Sequence, residues 1–178
     1  MSDLQLESDS ELHTAFREIF EATFEDLTRF VARRVDSHLR DDVVSETFLV
    51  AWRRFDEMPQ EVARIRPWLF AIARRILANT YRGRDRAASL VQRIAAQPTA
   101  SSEDPANTAI RVDYARAFDR LSDRDQEVLK LVAWDGLSAA ESAQVLEISS
   151  AAFSARLSRA RKRLRKHLEN PINPKDQS

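Results

Sequence analysis

With 178 residues, 43% hydrophobic and 31% charged, the chain has room for one or two small soluble domains, each able to bury its own core. The absence of cysteine excludes disulfides, thiol redox chemistry and thiolate zinc sites, and two glycines against six prolines argue against strands joined by tight hairpins. The 28 basic and 28 acidic residues cancel to a net charge of zero but are unevenly placed.

No apolar run approaches the roughly 20 residues of a membrane span. The polar, acidic start is no secretion signal, so the expectation is a cytoplasmic protein without membrane insertion. His13, His38 and His167 lie far apart with no partner at metal-ligand spacing, and no glycine-rich phosphate loop or nucleophile elbow occurs. The chain is therefore expected to be no enzyme and to need no metal or cofactor.

In chain order, Ser8 and Glu11 offer a capping box before a helix with Leu12, Phe16, Ile19, Phe20, Phe24, Leu27, Val31 and Val35 at helical spacing as core. A second helix is predicted from Asp41 or Asp42 to about Phe55, burying Val44, Phe48, Ala51 or Trp52, and Phe55, before Met58-Pro59 ends it. Its opposite face carries Asp42, Ser45, Glu46, Val50 and Arg53. Pro67 suits the first turn of a third helix, from Trp68 to about Arg82, with Gly83 as a left-handed stop. Leu69, Ile72, Ala73 and Ile76 form its apolar stripe, while Arg74, Arg75, Asn79 and Arg82 project donors suited to phosphates or base edges.

Charge divides the chain. Residues 1–31 hold eight acids against two bases, whereas residues 64–86 hold seven arginines against Asp85 alone. Residues 85–109 read as a flexible linker of about 25 residues with a mean reach of about 25 to 30 Å. It separates a first domain, 10–84, from a second, 110–169, and a short tail, 170–178, follows. Within the second domain a short helix around Val112 to Leu121 precedes a helix from Asp123 to Trp134, capped by Ser122 and closed by Gly136, with Val128, Leu129, Leu131 and Val132 as core.

Residues 138–168 then read as a helix-turn-helix. Ser138 and Glu141 form a capping box, Ala143, Val145 and Leu146 supply apolar side chains, the chain turns around Glu147 to Ser149, and Ser149 or Ser150 caps a second helix. Phe153, Leu157, Ala160, Leu164 and Leu168 make one apolar stripe of that helix. Arg156, Arg159, Arg161, Lys162, Arg163, Arg165 and Lys166 occupy the other faces with no acid among them. Same-sign neighbours at i,i+4 repel unless an anionic partner compensates, so this surface is suited to DNA phosphates. The fold class expected is all-α: two small helical domains joined by a flexible linker, the second a helix-turn-helix domain.

Three blocks, DDVVSETFLVAWRRFDEMP, RPWLFAIARRILANTYRGRDR and LSDRDQEVLKLVAWDGLSAAESAQVLEISSAAFSARLSRARKRLRKHL, together resemble the extracytoplasmic-function sigma factors of bacterial RNA polymerase, over about residues 12 to 168. The resemblance implies a promoter-recognition subunit whose partners are core RNA polymerase, through its β′ coiled coil and β flap, promoter DNA, and in many relatives an anti-sigma factor. It implies core-polymerase contacts at Asp42, Ser45, Glu46, Thr47 and Val50. Contacts to the -10 element would come from Arg64, Arg66, Trp68, Arg74, Arg75, Asn79 and Arg82, with an extruded base held in the loop before Pro67. Contacts to the -35 element would come from Ser150, Ala151, Ser154, Ala155, Arg156, Ser158 and Arg159.

Two departures stand out. Glu147 replaces a frequent glycine in the turn, so that turn either avoids positive φ or stores strain. Arg75 and Asn79 occupy positions that often carry Asn and Asp, which leaves the -10 preference open. Residues 121–138 also resemble the output domain of LuxR-type regulators, although the amino-terminal half lacks a receiver domain's β/α alternation. A stand-alone regulator is thus the alternative reading, ahead of a helical interaction module and of a metal-dependent nucleic-acid enzyme.

Overall fold

The computed structural model describes the backbone of residues 2–87 and 105–170 and the side chains of residues 12–80 and 112–170. The chain divides into two compact units, Met1–Ile94 and Ala95–Ser178. Among the described residues all regular structure is helical, and no helix is long and apolar enough to cross a membrane.

The amino-terminal unit contains α1 (Ser2–Ala32), α2 (Ser37–Arg53), a single 3-10 turn (Phe55–Glu57) and α3 (Val62–Ala87). Its core is an apolar stripe from each helix: Leu27, Phe30 and Val31 of α1, Val43, Val44, Phe48 and Ala51 of α2, and Leu69, Phe70, Ile72, Ala73, Ile76 and Leu77 of α3. Phe30 stacks on Phe70 with ring centroids 4.3 Å apart. The Arg34 guanidinium lies 3.7 Å from the Phe30 ring centroid while its Nη1 donates to Phe30 O, so this long side chain caps the end of α1. At the other end, Trp52 packs against His13, Phe16 and Phe55. Phe20 and Phe24, expected in the core, remain more than one-third exposed beside buried Phe48.

Helix boundaries in this unit depart from the sequence pattern. α1 runs unbroken through Ser8, so that residue marks no helix start, and it ends before Val35, which is buried in the turn that follows. α2 opens at Ser37, one turn before Asp41, with Asp36 as N-cap. α3 starts at Val62, which puts Pro67 inside the helix instead of in its first turn. The missing Pro67 amide costs one hydrogen bond, but burial of Ile65 and of Pro67 itself favours the extra turn. Gly83 does not stop α3, which continues to Ala87. A helical glycine costs about 1 kcal/mol relative to alanine, small enough for neighbouring helix formers to override.

The carboxy-terminal unit contains α4 (Pro105–Asp119), α5 (Asp123–Ala133), α6 (Ala139–Leu146) and α7 (Ser150–Glu169). The expected linker is thus shortened at both ends: residues 85–87 belong to α3 and residues 105–109 to α4. The rest of it, 88–104, lies outside the described residues, as does all but the first residue of the tail. Leu121, Leu129 and Ala160 form a buried cluster with Phe118, Leu157 and Leu164 against it, while Leu131, Val145 and Phe153 are fully buried. Val132 and Leu146 are only partly buried.

Candidate nucleic-acid interface

The sequence marks each turn of the carboxy-terminal unit chemically. Ser122 Oγ accepts from Asp125 N at 3.3 Å and caps α5, while Gln126 Nε2 donates back to Phe118 O and Leu121 O, closing the end of α4. Gly136 has φ +66°, the left-handed geometry that ends a helix without a Cβ penalty. At α6 the capping box is complete: Ser138 Oγ accepts from Glu141 N at 3.2 Å and Glu141 Oε2 accepts from Ser138 N at 2.8 Å. Ser149 Oγ accepts from Ala152 N at 3.1 Å and starts α7.

Between these caps only Glu147, Ile148 and Ser149 turn the chain. Glu147 adopts φ 56° and ψ 43°, so the second alternative for this position holds: a non-glycine residue sits in left-handed conformation, strained by about 1 kcal/mol. Ile148 N then bonds Ala143 O at 3.0 Å. This closure satisfies the end of α6 and releases the chain directly into α7.

α7 buries Phe153 and Ala160, with Leu157, Leu164 and Leu168 half-buried along the same stripe. Ser150, Ala151, Ser154, Ala155, Arg156, Ser158 and Arg159 are all exposed, so the structure brings every residue expected at the -35 element onto the open surface. Small side chains in the first two turns allow close approach of the helix backbone, and the long cations follow. Arg159 Nε donates to Ala155 O at 3.2 Å, which folds its guanidinium back along the helix. Arg163 is the exception within the basic run: its Nη1 donates to Oδ1 and Oδ2 of Asp125 on α5, at 2.9 and 2.7 Å. Arg120 Nη1 bonds Asn170 O at 3.1 Å and tethers the far end of α7.

On α3, Arg75 and Asn79 are exposed and Arg74 and Trp68 half-buried, while the Arg82 side chain lies outside the described residues. Arg64 pairs with Glu61 at 2.8 Å at an exposed site. Arg66 is engaged elsewhere: its Nε lies 2.7 Å from Asp26 Oδ2, and its guanidinium carbon stands 5.1 Å from the Phe70 ring centroid. Asp26 also binds Arg29, so one carboxylate joins α1 to α3. Arg66 therefore serves first as an interhelical tie. Glu57, in the 3-10 turn, is bonded by Arg54 Nε at 3.1 Å, and this hydrogen bonding holds its carboxyl below the ordinary glutamate range. Desolvation is the next largest influence and opposes the shift, while the charges of Arg54 and then Arg75 add smaller contributions in the same direction as the hydrogen bond.

On α2, Asp42, Ser45 and Glu46 are exposed and Val50 is half-buried, which leaves a continuous outward face with exposed Leu49 beside it. Thr47 belongs elsewhere. It is fully buried and its Oγ1 donates to Val43 O at 2.6 Å, so it packs inside the unit and is removed from the contact set. Among the described residues no group of three or more His, Asp or Glu could hold a metal ion.

The geometry defines a two-unit helical protein with a helix-turn-helix, and comparison with known proteins names its class. Residues 19–87 match the family model for sigma-70 region 2 and residues 111–164 that for sigma-70, region 4. The chain is 33% identical over 138 residues to the probable RNA polymerase sigma factor RfaY of Xanthomonas campestris, covering 72% of this chain and about a third, 34%, of that relative's length. It is 27% identical to the ECF RNA polymerase sigma factor SigM of Bacillus subtilis, over 88% of this chain and 96% of SigM. It is 33% identical to the RNA polymerase sigma factor CnrH of Cupriavidus metallidurans, over 70% of each chain. The solved structure of CnrH, in complex with the cytosolic domain of CnrY, superposes with a TM-score of 0.60 at 27% identity, over 88% of this chain and 89% of that one.

The protein belongs to the extracytoplasmic-function sigma factors, which direct promoter-specific initiation by bacterial RNA polymerase. The region 2 match over the amino-terminal half removes the ground for a stand-alone LuxR-type regulator.

Proposed function

We propose that this protein binds core RNA polymerase through the outward face of α2, reads a -35 element with α7 in the major groove, and engages the -10 element along α3. The observation that carries this reading is α7 itself: a short capped turn delivers small exposed residues, Ala151, Ser154, Ala155 and Ser158, followed by exposed arginines. A helix of this shape fits the major groove, where its first turns reach base edges and its cations neutralise phosphates.

In this reading Asp42, Ser45, Glu46 and Val50 meet the β′ coiled coil, and the carboxy-terminal unit meets the β flap. Arg64, Trp68, Arg74, Arg75, Asn79 and Arg82 lie along the -10 strand. Because residues 62–66 are helical, the loop that receives an extruded base is the segment 58–61 ahead of α3 and not one directly before Pro67. Unpairing a base costs a few kcal/mol, offset by stacking and phosphate neutralisation, so no covalent chemistry is needed and the protein is not an enzyme. It works in the cytoplasm, where polymerase and DNA are. An anti-sigma factor is a further partner, in line with the solved complex of CnrH with CnrY.

The test is run-off transcription across genomic promoters with added core polymerase. Specific transcripts are expected, with footprints over two separated elements. Arg156→Glu with Arg159→Glu, and separately Arg74→Glu, should abolish initiation while leaving core binding intact, whereas Asp42→Lys with Glu46→Lys should abolish core binding. Absence of transcripts from every promoter would overturn the reading.

A further inference from the structure

Charge alone would assign Arg163, in the middle of the basic run, to the DNA phosphates. Its guanidinium points elsewhere: one nitrogen, Nη1, serves both oxygens of Asp125, whose side chain is only 11% exposed. A carboxylate this buried is strongly disfavoured without its cation, so a DNA phosphate competes poorly for Arg163.

The remaining attachment of α7 to its unit is largely apolar, through Phe153, Leu157, Ala160 and Leu164. Apolar packing is non-directional and resists separation better than rotation. Each residue along a helix turns by about 100°, so a modest rotation would replace Ala151 and Ala155 at the open face by their neighbours. A directional tie in mid-helix prevents that, and the Arg120 bond to Asn170 O steadies the carboxy-terminal end.

We infer that Asp125 and Arg163 are a positioning pair that sets the rotation of α7 for base reading, and that Arg163 is no phosphate contact. This rests on the reading of α7 proposed above. Lys162 differs from Arg163: it is exposed and lies about 100° round the helix axis from it, away from the Asp125 tie.

The test uses the full chain with core polymerase, at temperatures well below the melting transition of each variant. Affinity is measured for promoters with intact and scrambled -35 elements over a range of salt. Asp125→Asn and Arg163→Gln should each reduce the intact-to-scrambled ratio by about tenfold, of the order of one lost base contact, with no change in the salt slope. The double variant should be no worse than either single variant. Because one nitrogen makes both contacts, Arg163→Lys should recover most of the ratio. Lys162→Gln should instead lower the salt slope by about one and leave the ratio in place.

A slope lowered by about one in Arg163→Gln but not in Asp125→Asn would make Arg163 a phosphate contact and overturn the inference. So would full ratios in both single variants. A parent protein that does not distinguish intact from scrambled elements would overturn the proposed reading of α7 and the pair's role with it.

Discussion

Phe30 of α1 and Phe70 of α3 stack at 4.3 Å with ring planes 26° apart, and both are fully buried. Their contact joins the helix that ends at the Arg34 cap to the helix that carries Arg74, Arg75 and Asn79. Phe70→Ala should destabilise the amino-terminal unit by about 3–5 kcal/mol, through lost transfer energy and the cavity left behind. Phe70→Leu should cost less, since it restores much of the volume. Chemical denaturation followed by the fluorescence of Trp52 and Trp68 measures both, and equal losses would mean that the site collapses freely.

Glu147 and Gly136 both lie in the left-handed region, and only one is glycine. Glu147→Gly should raise the stability of the carboxy-terminal unit by about 1 kcal/mol, since glycine adopts this conformation without a Cβ clash. Gly136→Ala should lower it by about as much. A Cβ at Gly136 meets nothing within 4 Å, so that cost is purely conformational. Thermal melts of the two variants should move in opposite directions.

Ser142 lies in α6 with no accessible surface, and its Oγ is buried without a hydrogen-bond partner. An unsatisfied buried hydroxyl is a net cost, and alanine is also the better helix former. Ser142→Ala should therefore stabilise the unit by about 1 kcal/mol and leave promoter selection unchanged. A loss of stability on melting would show that the hydroxyl has a partner in solution.

Glu57 titrates below the ordinary glutamate range because Arg54 bonds its charged form. A carboxyl whose folded pKa is depressed contributes stability above its unfolded pKa, and that contribution disappears as pH falls through the folded value. The Arg54–Glu57 tie should therefore persist at neutral pH and be lost only in acid below the usual glutamate midpoint. NMR titration of the Glu57 carboxyl carbon checks this. Arg54→Ala should move the midpoint up towards ordinary, and Arg75→Ala should move it less.

The carboxy-terminal unit was largely legible in the sequence because its turns carry their own chemistry. Ser122, Ser138, Glu141 and Ser149 are capping residues in the right positions, and each makes its expected bond. The start of α3 was not legible, because burial of Ile65 and Pro67 outweighs the local signal of proline. Thr47 is placed among the polymerase contacts by the family resemblance alone. Its spacing from Val43, Val44, Phe48 and Ala51 places it on the buried stripe, and that periodicity was the available signal. Arg66 and Arg163 were assigned to DNA by charge, yet their carboxylate partners lie far away in sequence. No local pattern could reveal Asp26 or Asp125 as those partners.

The uninterrupted course of α3 through Gly83 makes it a rod of 26 residues, about 39 Å long. That matches roughly one full turn of B-form duplex, about 34 to 36 Å. A helix of this size sets the distance between its two extremities, and the missing Pro67 amide leaves its first turns the place where that distance can give.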